Sequence, residues 1–242
     1  MEMKGNTVLI TGGSSGIGMA LVERFLKAGN KVITCGRDPG KLEEMKKKFP
    51  ALETFVADTG KEKDRIELWS QVTKKFPDVN VLINNAGIQR KVNLKAHEAW
   101  SETASEININ LSGPIHLSML ALDHLSKKKN AIISNVSSGL AFVPLTTVPV
   151  YCATKAAIHS FTMSLRHQLK DTGIKVIEII PPAVRTNLGG SHDFGENLDE
   201  YADAVMKQWQ EGKDEITYTF SSVGSQASRA ELDQIFKRMN TL

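Results

Sequence analysis

The chain has 242 residues, 41% hydrophobic and 24% charged, enough to bury a substantial core in one large α/β domain or two small ones. Lys+Arg 30 against Asp+Glu 27 leave a net charge of +3, too small a surplus to argue for a nucleic-acid or membrane-surface partner. Cys35 and Cys152 are too far apart in sequence to read as a disulfide framework or a zinc spacing.

In chain order, the first predicted strand is Thr7–Ile10. It runs into Thr11-Gly12-Gly13-Ser14-Ser15-Gly16-Ile17-Gly18 and then an amphipathic helix predicted over Gly16–Ala28, which Gly29 can cap. Strand, glycine turn and helix is the order that a dinucleotide pyrophosphate requires. Gly12 permits a sharp turn off the strand, while Gly16 and Gly18 lack the side chains that would hold phosphate and the neighbouring strand away from the helix. The unpaired N–H groups of the first helical turn and its dipole then face the phosphates. The spacing is Gly-x-x-x-Gly-x-Gly, and glycine-rich turns also arise for purely structural reasons. On this reading Gly12, Ser14, Ser15, Gly16, Ile17 and Gly18 are candidate cofactor contacts.

Further strands are predicted at Lys31–Cys35, Glu53–Val56, Asn80–Ile83, Asn130–Val136, Ile174–Ile180 and Glu215–Tyr218, with helices at Lys41–Lys48, Lys61–Lys75, Ala96–Leu125, Pro149–Asp171 and Leu198–Gln210. The strands are apolar almost throughout, as expected for a parallel sheet buried on both faces. Strand–helix alternation with right-handed crossovers predicts an α/β fold, a doubly wound Rossmann fold with a seven-stranded parallel sheet flanked by helices. No linker-like stretch interrupts it, so one domain over residues 1–242 is expected. Pro181-Pro182 break the pattern, and Thr186–Glu196 is rich in Gly, Asn, Ser and His. A substrate lid is therefore expected at about 186–212, with an ordinary surface excursion as the alternative. The chain reaches its first strand within about six residues, so no signal peptide and a cytoplasmic location are expected.

Tyr151-x-x-x-Lys155 places a phenol and an ammonium on one helix face, a turn apart. A lysine cation beside a tyrosine favours the phenolate, and lowering its pKa by about three units takes roughly 4 kcal/mol. Alone, such a pair is also an ordinary helix-surface arrangement. Its company matters more: Ser137-Ser138 end the strand Asn130–Val136, and Asn84-Asn85-Ala86-Gly87 follow the strand Asn80–Ile83. Glycine loop, asparagine tip, serine pair and Tyr/Lys helix all converge on one edge of the predicted sheet.

With these motifs the chain resembles the short-chain dehydrogenase/reductase family, in its short single-domain branch, over nearly its full length. The matching residues are Thr11–Gly18, Asn84–Gly87, Asn110-Leu-Ser-Gly113, Asn135-Val-Ser-Ser138 and Tyr151-Cys-Ala-Thr-Lys155. Ser138–Phe142 and Tyr151–Arg166 also look like the DltE-like oxidoreductases, a subgroup often found with the D-alanyl-lipoteichoic acid operon of Gram-positive bacteria. The resemblance implies hydride transfer between a nicotinamide cofactor and a carbonyl or secondary alcohol. Tyr151 would be the general acid/base, and Lys155 would lower its pKa and hold the nicotinamide ribose. Ser138 would polarise the substrate oxygen, with Ser137 as a neighbouring candidate. Asn110 would sit in a long helix and anchor a water leading to Lys155; Asn108 is close by, and a helix-capping or kink-stabilising amide is the plainer reading of either.

Among the residues the resemblance assigns to the cofactor, Asn85, Ala86 and Gly87 would line it, and Asp58 would touch adenine or simply cap the following helix. Val184 and Thr186 would cover the nicotinamide amide, although Pro182 stands where the family often has glycine. After the second strand the NAD-selecting acid would fall at Gly36, and Arg37 occupies the place that takes a 2′-phosphate; NADP is therefore expected. NAD is the alternative, because Asp38 is adjacent and Ser15 stands where NADP-preferring relatives often carry a second basic residue. Cys152 would turn about 100° from Tyr151 and pack. The apolar stretch Gly139–Val150, with Phe194, Tyr201 and Trp209 beyond it, suits a moderately hydrophobic small-molecule substrate. His192 lies in the lid candidate. The long helices imply a homodimer or homotetramer, unless their stripes are buried within one subunit. Two other readings compete: a non-catalytic dinucleotide-sensing or scaffold protein, and a nucleotide-sugar epimerase or dehydratase, for which the roughly 60 residues after Ile180 are too few.

Overall fold

The computed structural model describes residues 2–96, 99–190 and 194–241. Seven strands form one sheet: β1 (Thr7–Thr11), β2 (Lys31–Gly36), β3 (Glu53–Val56), β4 (Val81–Asn84), β5 (Ile132–Val136), β6 (Lys175–Ile180) and β7 (Glu215–Thr217). Their order is β3-β2-β1-β4-β5-β6-β7, and every pairing is parallel. The chain winds outward from β1 to β3, then returns to place β4 on the other side of β1, with Val8 opposite Val81 and Ile10 opposite Ile83. That reversal opens a crevice beyond the carboxyl ends of β1 and β4, where ligands bind in open α/β sheets.

Alternating strand residues feed two helical layers. Val8 and Ile10 pack with α1 (Gly16–Lys27), α2 (Pro39–Lys48) and α7 (Leu198–Glu211) through Leu21, Phe25, Met45, Tyr201 and Trp209. Leu9 points the other way, into α3 (Glu62–Lys75), α5 (Gly113–Leu125) and α6 (Pro149–Gln168) through Trp69, Leu117 and Leu165. Each fully buried aliphatic or Phe side chain contributes about 1.5–3 kcal/mol of transfer free energy, so both faces anchor the sheet.

Three expectations change. The predicted helix Ala96–Leu125 is two helices, α4 (Trp100–Ile107) and α5, joined by a π-turn at Asn108–Ser112. Pro114 brings no N–H to the ladder, and a Cβ on Gly113 would lie 3.0 Å from the Thr59 carbonyl, so the helix shifts register where it presses on the β3–α3 loop. His97 and Glu98 at its start lie outside the described residues. The span 186–212 also divides. Its second half is α7, whose Tyr201 and Trp209 are fully buried and whose Trp209 ring meets Phe25 edge-on at 5.4 Å. Tyr201 and Trp209 are thus core residues and not lid residues, and His192 lies outside the described residues. Two further helices, α8 (Phe220–Gln226) and α9 (Arg229–Met239), follow β7. The capping box Ser228-x-x-Glu231 that opens α9 is a sequence signal for it.

Candidate active site

The glycine loop and the β4 tip are locked together by backbone. Gly12 has φ +67, and a Cβ there would sit 2.8 Å from the Ala86 Cα. A Cβ on Gly18 would sit 2.3 Å from the Gly12 carbonyl oxygen and 2.4 Å from the Asn85 amide nitrogen. Only glycine lets α1 come this close. Thr11 Oγ1 accepts the backbone N–H groups of Asn85 and Ala86, each at 3.0 Å, and Asn85 Nδ2 donates back to the Thr11 carbonyl at 2.9 Å and to that of Gly12 at 3.2 Å. Ser15 is the N-cap of α1 and makes no side-chain cap, so no capping side chain covers the first turn around Ile17. Gly16, at φ +51, faces the Thr186 methyl group at 3.4 Å from an ideal Cβ, which brings the segment after β6 over the glycine loop. Val184 is buried just before it and bridges to Glu196.

At the end of β2, a Cβ on Gly36 would lie 3.5 Å from Ser14 Oγ, so Gly36, Ser14 and the exposed Arg37 share one rim. Asp38 is already engaged: its Oδ1 caps α2 by accepting from Gly40 N at 2.9 Å and Lys41 N at 3.2 Å. Asp58 is likewise tied into its own turn, Oδ1 accepting from Gly60 N at 2.9 Å, and it does not cap α3, whose N-cap is Lys61 with no side-chain cap.

Three consecutive residues at the β5 tip each hold a different partner. The Val136 carbonyl accepts from Lys155 Nζ at 2.7 Å. The Ser137 hydroxyl donates to Glu178 Oε1 at 2.5 Å. The Ser138 hydroxyl hydrogen-bonds the Tyr151 phenol and accepts from Leu140 N at 3.1 Å. Of the two serines, only Ser138 therefore faces the tyrosine. Tyr151 and Lys155 are buried on the same face of α6, the ammonium 5.5 Å from the phenol ring centre. Asn110 sits in the π-turn: Oδ1 accepts Ile88 N at 2.9 Å, while Nδ2 donates to the Ile88 carbonyl at 2.8 Å and to Thr154 Oγ1 at 3.3 Å. A Cβ on Gly87 would lie 3.4 Å from Asn110 Oδ1 and 3.7 Å from Lys155 Nζ, so all three groups meet beside the glycine loop. Asn108, on the exposed side of the turn, takes no part.

The electrostatics differ from the sequence expectation. Burial, not Lys155, dominates the Tyr151 phenol and pushes its pKa up, with the Ser138 hydrogen bond opposing. Lys155 is pulled down to about 8 by burial, and the Glu178 charge works against that fall. Glu106, itself fully buried and raised by desolvation, adds to the upward push on Tyr151. Cys152 packs as expected, its thiol turned to the Leu145 backbone. Leu140, Leu145, Val148 and Leu188 surround Tyr151 and Cys152 with apolar surface.

Sequence reading missed Thr11, which opens the glycine motif and clasps the β4 tip, and it missed Glu178 and His159. An isolated Glu in the apolar strand Ile174–Ile180 was the available signal, since an acid is rarely buried without a partner.

Among the described residues no helix is long and apolar enough to cross a membrane. The DltE protein of Bacillus subtilis, described as an uncharacterized oxidoreductase, is 45% identical over 249 aligned positions, covering 100% of this chain and 99% of that protein. A short-chain dehydrogenase from Burkholderia cenocepacia, solved with NADP, superposes with a TM-score of 0.84 at 24% identity, covering 100% of both chains. One from Sphingobium yanoikuyae, solved with NADPH, gives a TM-score of 0.80 at 24% identity over 95% of this chain and 92% of the other. Residues 6–196 match the family described as short chain dehydrogenase, and the chain belongs to that family of NAD(P)-dependent oxidoreductases.

Proposed function

We propose that this chain is an NADP(H)-dependent reductase/dehydrogenase that interconverts a moderately hydrophobic carbonyl compound and its secondary alcohol, with Tyr151 as general acid/base. The observation that carries the reading is the meeting of Ser138, Tyr151, Lys155 and Asn110 beside a glycine cradle that no Cβ could enter. The cradle fits a dinucleotide: Gly12, Ser14, Ser15, Gly16, Ile17 and Gly18 present an uncapped helix N-terminus to the phosphates. Arg37 lies beside Ser14 and Gly36 for a 2′-phosphate, while Asp38 is held by its helix cap. Asn85, Ala86, Gly87, Val184 and Thr186 would line the same cofactor, and Asp58 would stand at its adenine end. The solved relatives named above that carry NADP or NADPH support this choice over NAD.

NADP, when bound, supplies the hydride donor or acceptor. In the direction of reduction, the Tyr151 O–H donates a proton to the substrate oxygen. Burial holds that phenol protonated, which suits a donor. The Ser138 hydroxyl orients the phenol and polarises the carbonyl. Lys155 would hold the nicotinamide ribose, and its charge would stabilise the phenolate left when Tyr151 gives up its proton, until a proton from solvent restores the phenol. Asn110 acts one step back, holding the Gly87-Ile88 backbone beside Lys155. The apolar wall of Leu140, Leu145, Val148 and Leu188 excludes water and sets a hydrophobic preference. Exposed Trp100, Met119 and Met163 on α4, α5 and α6 suit burial in a homo-oligomer.

Calorimetric titration with NADPH and NADH tests the cofactor. Tighter NADPH binding is expected, and Arg37→Ala should weaken it about 10-fold or more while sparing NADH. A preference for NADH would overturn the role of Arg37, and binding of neither by folded protein would overturn the oxidoreductase reading in favour of a scaffold.

A further inference from the structure

Behind the proposed site lies a second polar cluster that the reaction chemistry leaves unassigned. Glu178, in the centre of β6, is fully buried. Its Oε1 accepts the Ser137 hydroxyl at 2.5 Å, and its two oxygens face His159 Nδ1 at 2.9 and 3.1 Å. His159 lies on α6 one turn beyond Lys155, which is itself one turn beyond Tyr151, so the three side chains line one helix face. The His159 ring is half-buried against Phe142 at 4.7 Å, in the loop that follows Ser138. The cluster thus touches both halves of the site: Ser137 sits between the residue that binds Lys155 and the one that binds Tyr151.

A carboxylate in this position must do something to justify its desolvation, since an apolar residue would pack into β6 at no such cost. Its two hydrogen-bonding partners hold its oxygens but only one of them can carry charge. A second cation, Lys155, is buried and donates to the neutral Val136 carbonyl, next along the chain to the Ser137 that binds Glu178. The remaining charged groups around the cluster are Glu215 on β7, within 4.8 Å of the His159 and Glu178 ligand atoms, and Arg166 on α6, which pairs with Glu215 at 3.6 Å. These two offset each other at the rim. Glu106 acts on Tyr151 from α4.

Resting on the reaction proposed above, we infer that Glu178 is a positioning residue for the Tyr151/Lys155 pair. Its buried carboxylate, held by Ser137 and His159, keeps Lys155 charged and fixes the strand tip that carries Ser138. His159 is the screen: its imidazolium partly neutralises the carboxylate and ties α6 to β6 at the level of the lysine. Burial alone discharges Lys155 as pH rises, and a neutral lysine can neither supply the charge that favours the phenolate nor grip a ribose hydroxyl as strongly. Glu178 acts in the opposite direction.

The test follows the Lys155 titration by lysine-selective NMR in the full chain without nucleotide, with the resonance identified by its loss in Lys155→Met. In Glu178→Gln the midpoint should fall by about one pH unit. In His159→Gln, which keeps the carboxylate, it should not fall. A fall in Glu178→Gln alone supports the inference. An unchanged midpoint in Glu178→Gln, or a fall of equal size in both variants, overturns it, because equal falls would report general loosening of the fold. Should Glu178→Gln not fold, the Lys155 titration is followed in Glu178→Asp instead: withdrawing the carboxylate by one methylene should lower the midpoint, though by less than removing its charge, and an unchanged midpoint overturns the inference. The titration needs neither substrate nor turnover, so it stands or falls apart from the oxidoreductase reading, whose own test is nucleotide binding. Where turnover is measured, the alkaline limb of the kcat profile should move with the Lys155 midpoint, and Glu178→Asp should restore part of it.

Discussion

At the tips of β1 and β4 the site is made of backbone, whereas at the tips of β5 and β6 it is made of buried side chains. On the first side, Gly12 and Gly18 admit no Cβ, and Thr11 and Asn85 clasp the two loops through main-chain N–H and C=O groups. On the second, Ser137, Glu178 and His159 are joined through side chains up to 41 residues apart, and Lys155 donates to the Val136 carbonyl beside them. Backbone N–H groups offer a fixed partial charge that suits a phosphate at any ordinary pH. Ionisable side chains respond to pH and to each other, which suits proton transfer. One edge is therefore broken by adding atoms, the other by changing charge.

The largest effect should come from the charged side. Tyr151→Phe removes the O–H and should lower kcat of carbonyl reduction by at least ~100-fold, while calorimetric NADPH affinity stays near that of the original protein. Equal loss of both would erase the distinction between the two edges. On the backbone side, Gly18→Ala should reverse the pattern. Its methyl group meets the Gly12 carbonyl and the Asn85 amide, so α1 or the β4 tip must shift. Loss of about 1–3 kcal/mol in unfolding free energy, together with weaker NADPH binding, is expected in chemical denaturation and titration.

The two edges should also differ in pH response. The folded His159 pKa is raised, first by its hydrogen bond to Glu178, with burial opposing. Its contribution to stability is then fully present below the ordinary histidine value of about 6.5 and lost as pH rises through the folded value. Melting curves should show the largest gap between the original protein and His159→Gln near about pH 6, shrinking toward about pH 9. Gly18→Ala should lose stability by the same amount across that range, and a pH-independent His159 gap would sink the contrast. The smallest effect is expected at Asn240, whose amide accepts from Thr146 N at 2.7 Å and donates to the Pro144 carbonyl at 3.0 Å at the surface. Asn240→Ala should cost about 0.5–1.5 kcal/mol or less, read as a slight drop in melting temperature.

What the amino-acid sequence determined by itself was the part written in local signals. The seven strands, their parallel arrangement and the positions of α1, α2, α3, α6 and α7 follow from apolar runs, period and capping residues, each read within a dozen or so neighbours. The glycine loop was legible because absent side chains are themselves a sequence fact. Tyr151, Lys155 and Ser138 could be placed at one edge of the sheet because parallel strands send every strand tip the same way. Tertiary structure decided the rest. The π-turn at Asn108–Ser112 depends on Gly113 pressing on the Thr59 backbone, a contact across 54 positions that no helical period contains. The span 186–212 reads as polar and loop-like at its start, yet Trp209 and Tyr201 are drawn into the core because α1 offers Phe25 at the right height. The pKa directions of Tyr151 and Lys155 depend on burial and on which groups face them, and Ser137 was assigned to Glu178 only by the register of β5 against β6, with Asn135 opposite Glu178. Local order is set by neighbours along the chain, while charge is set by neighbours in space.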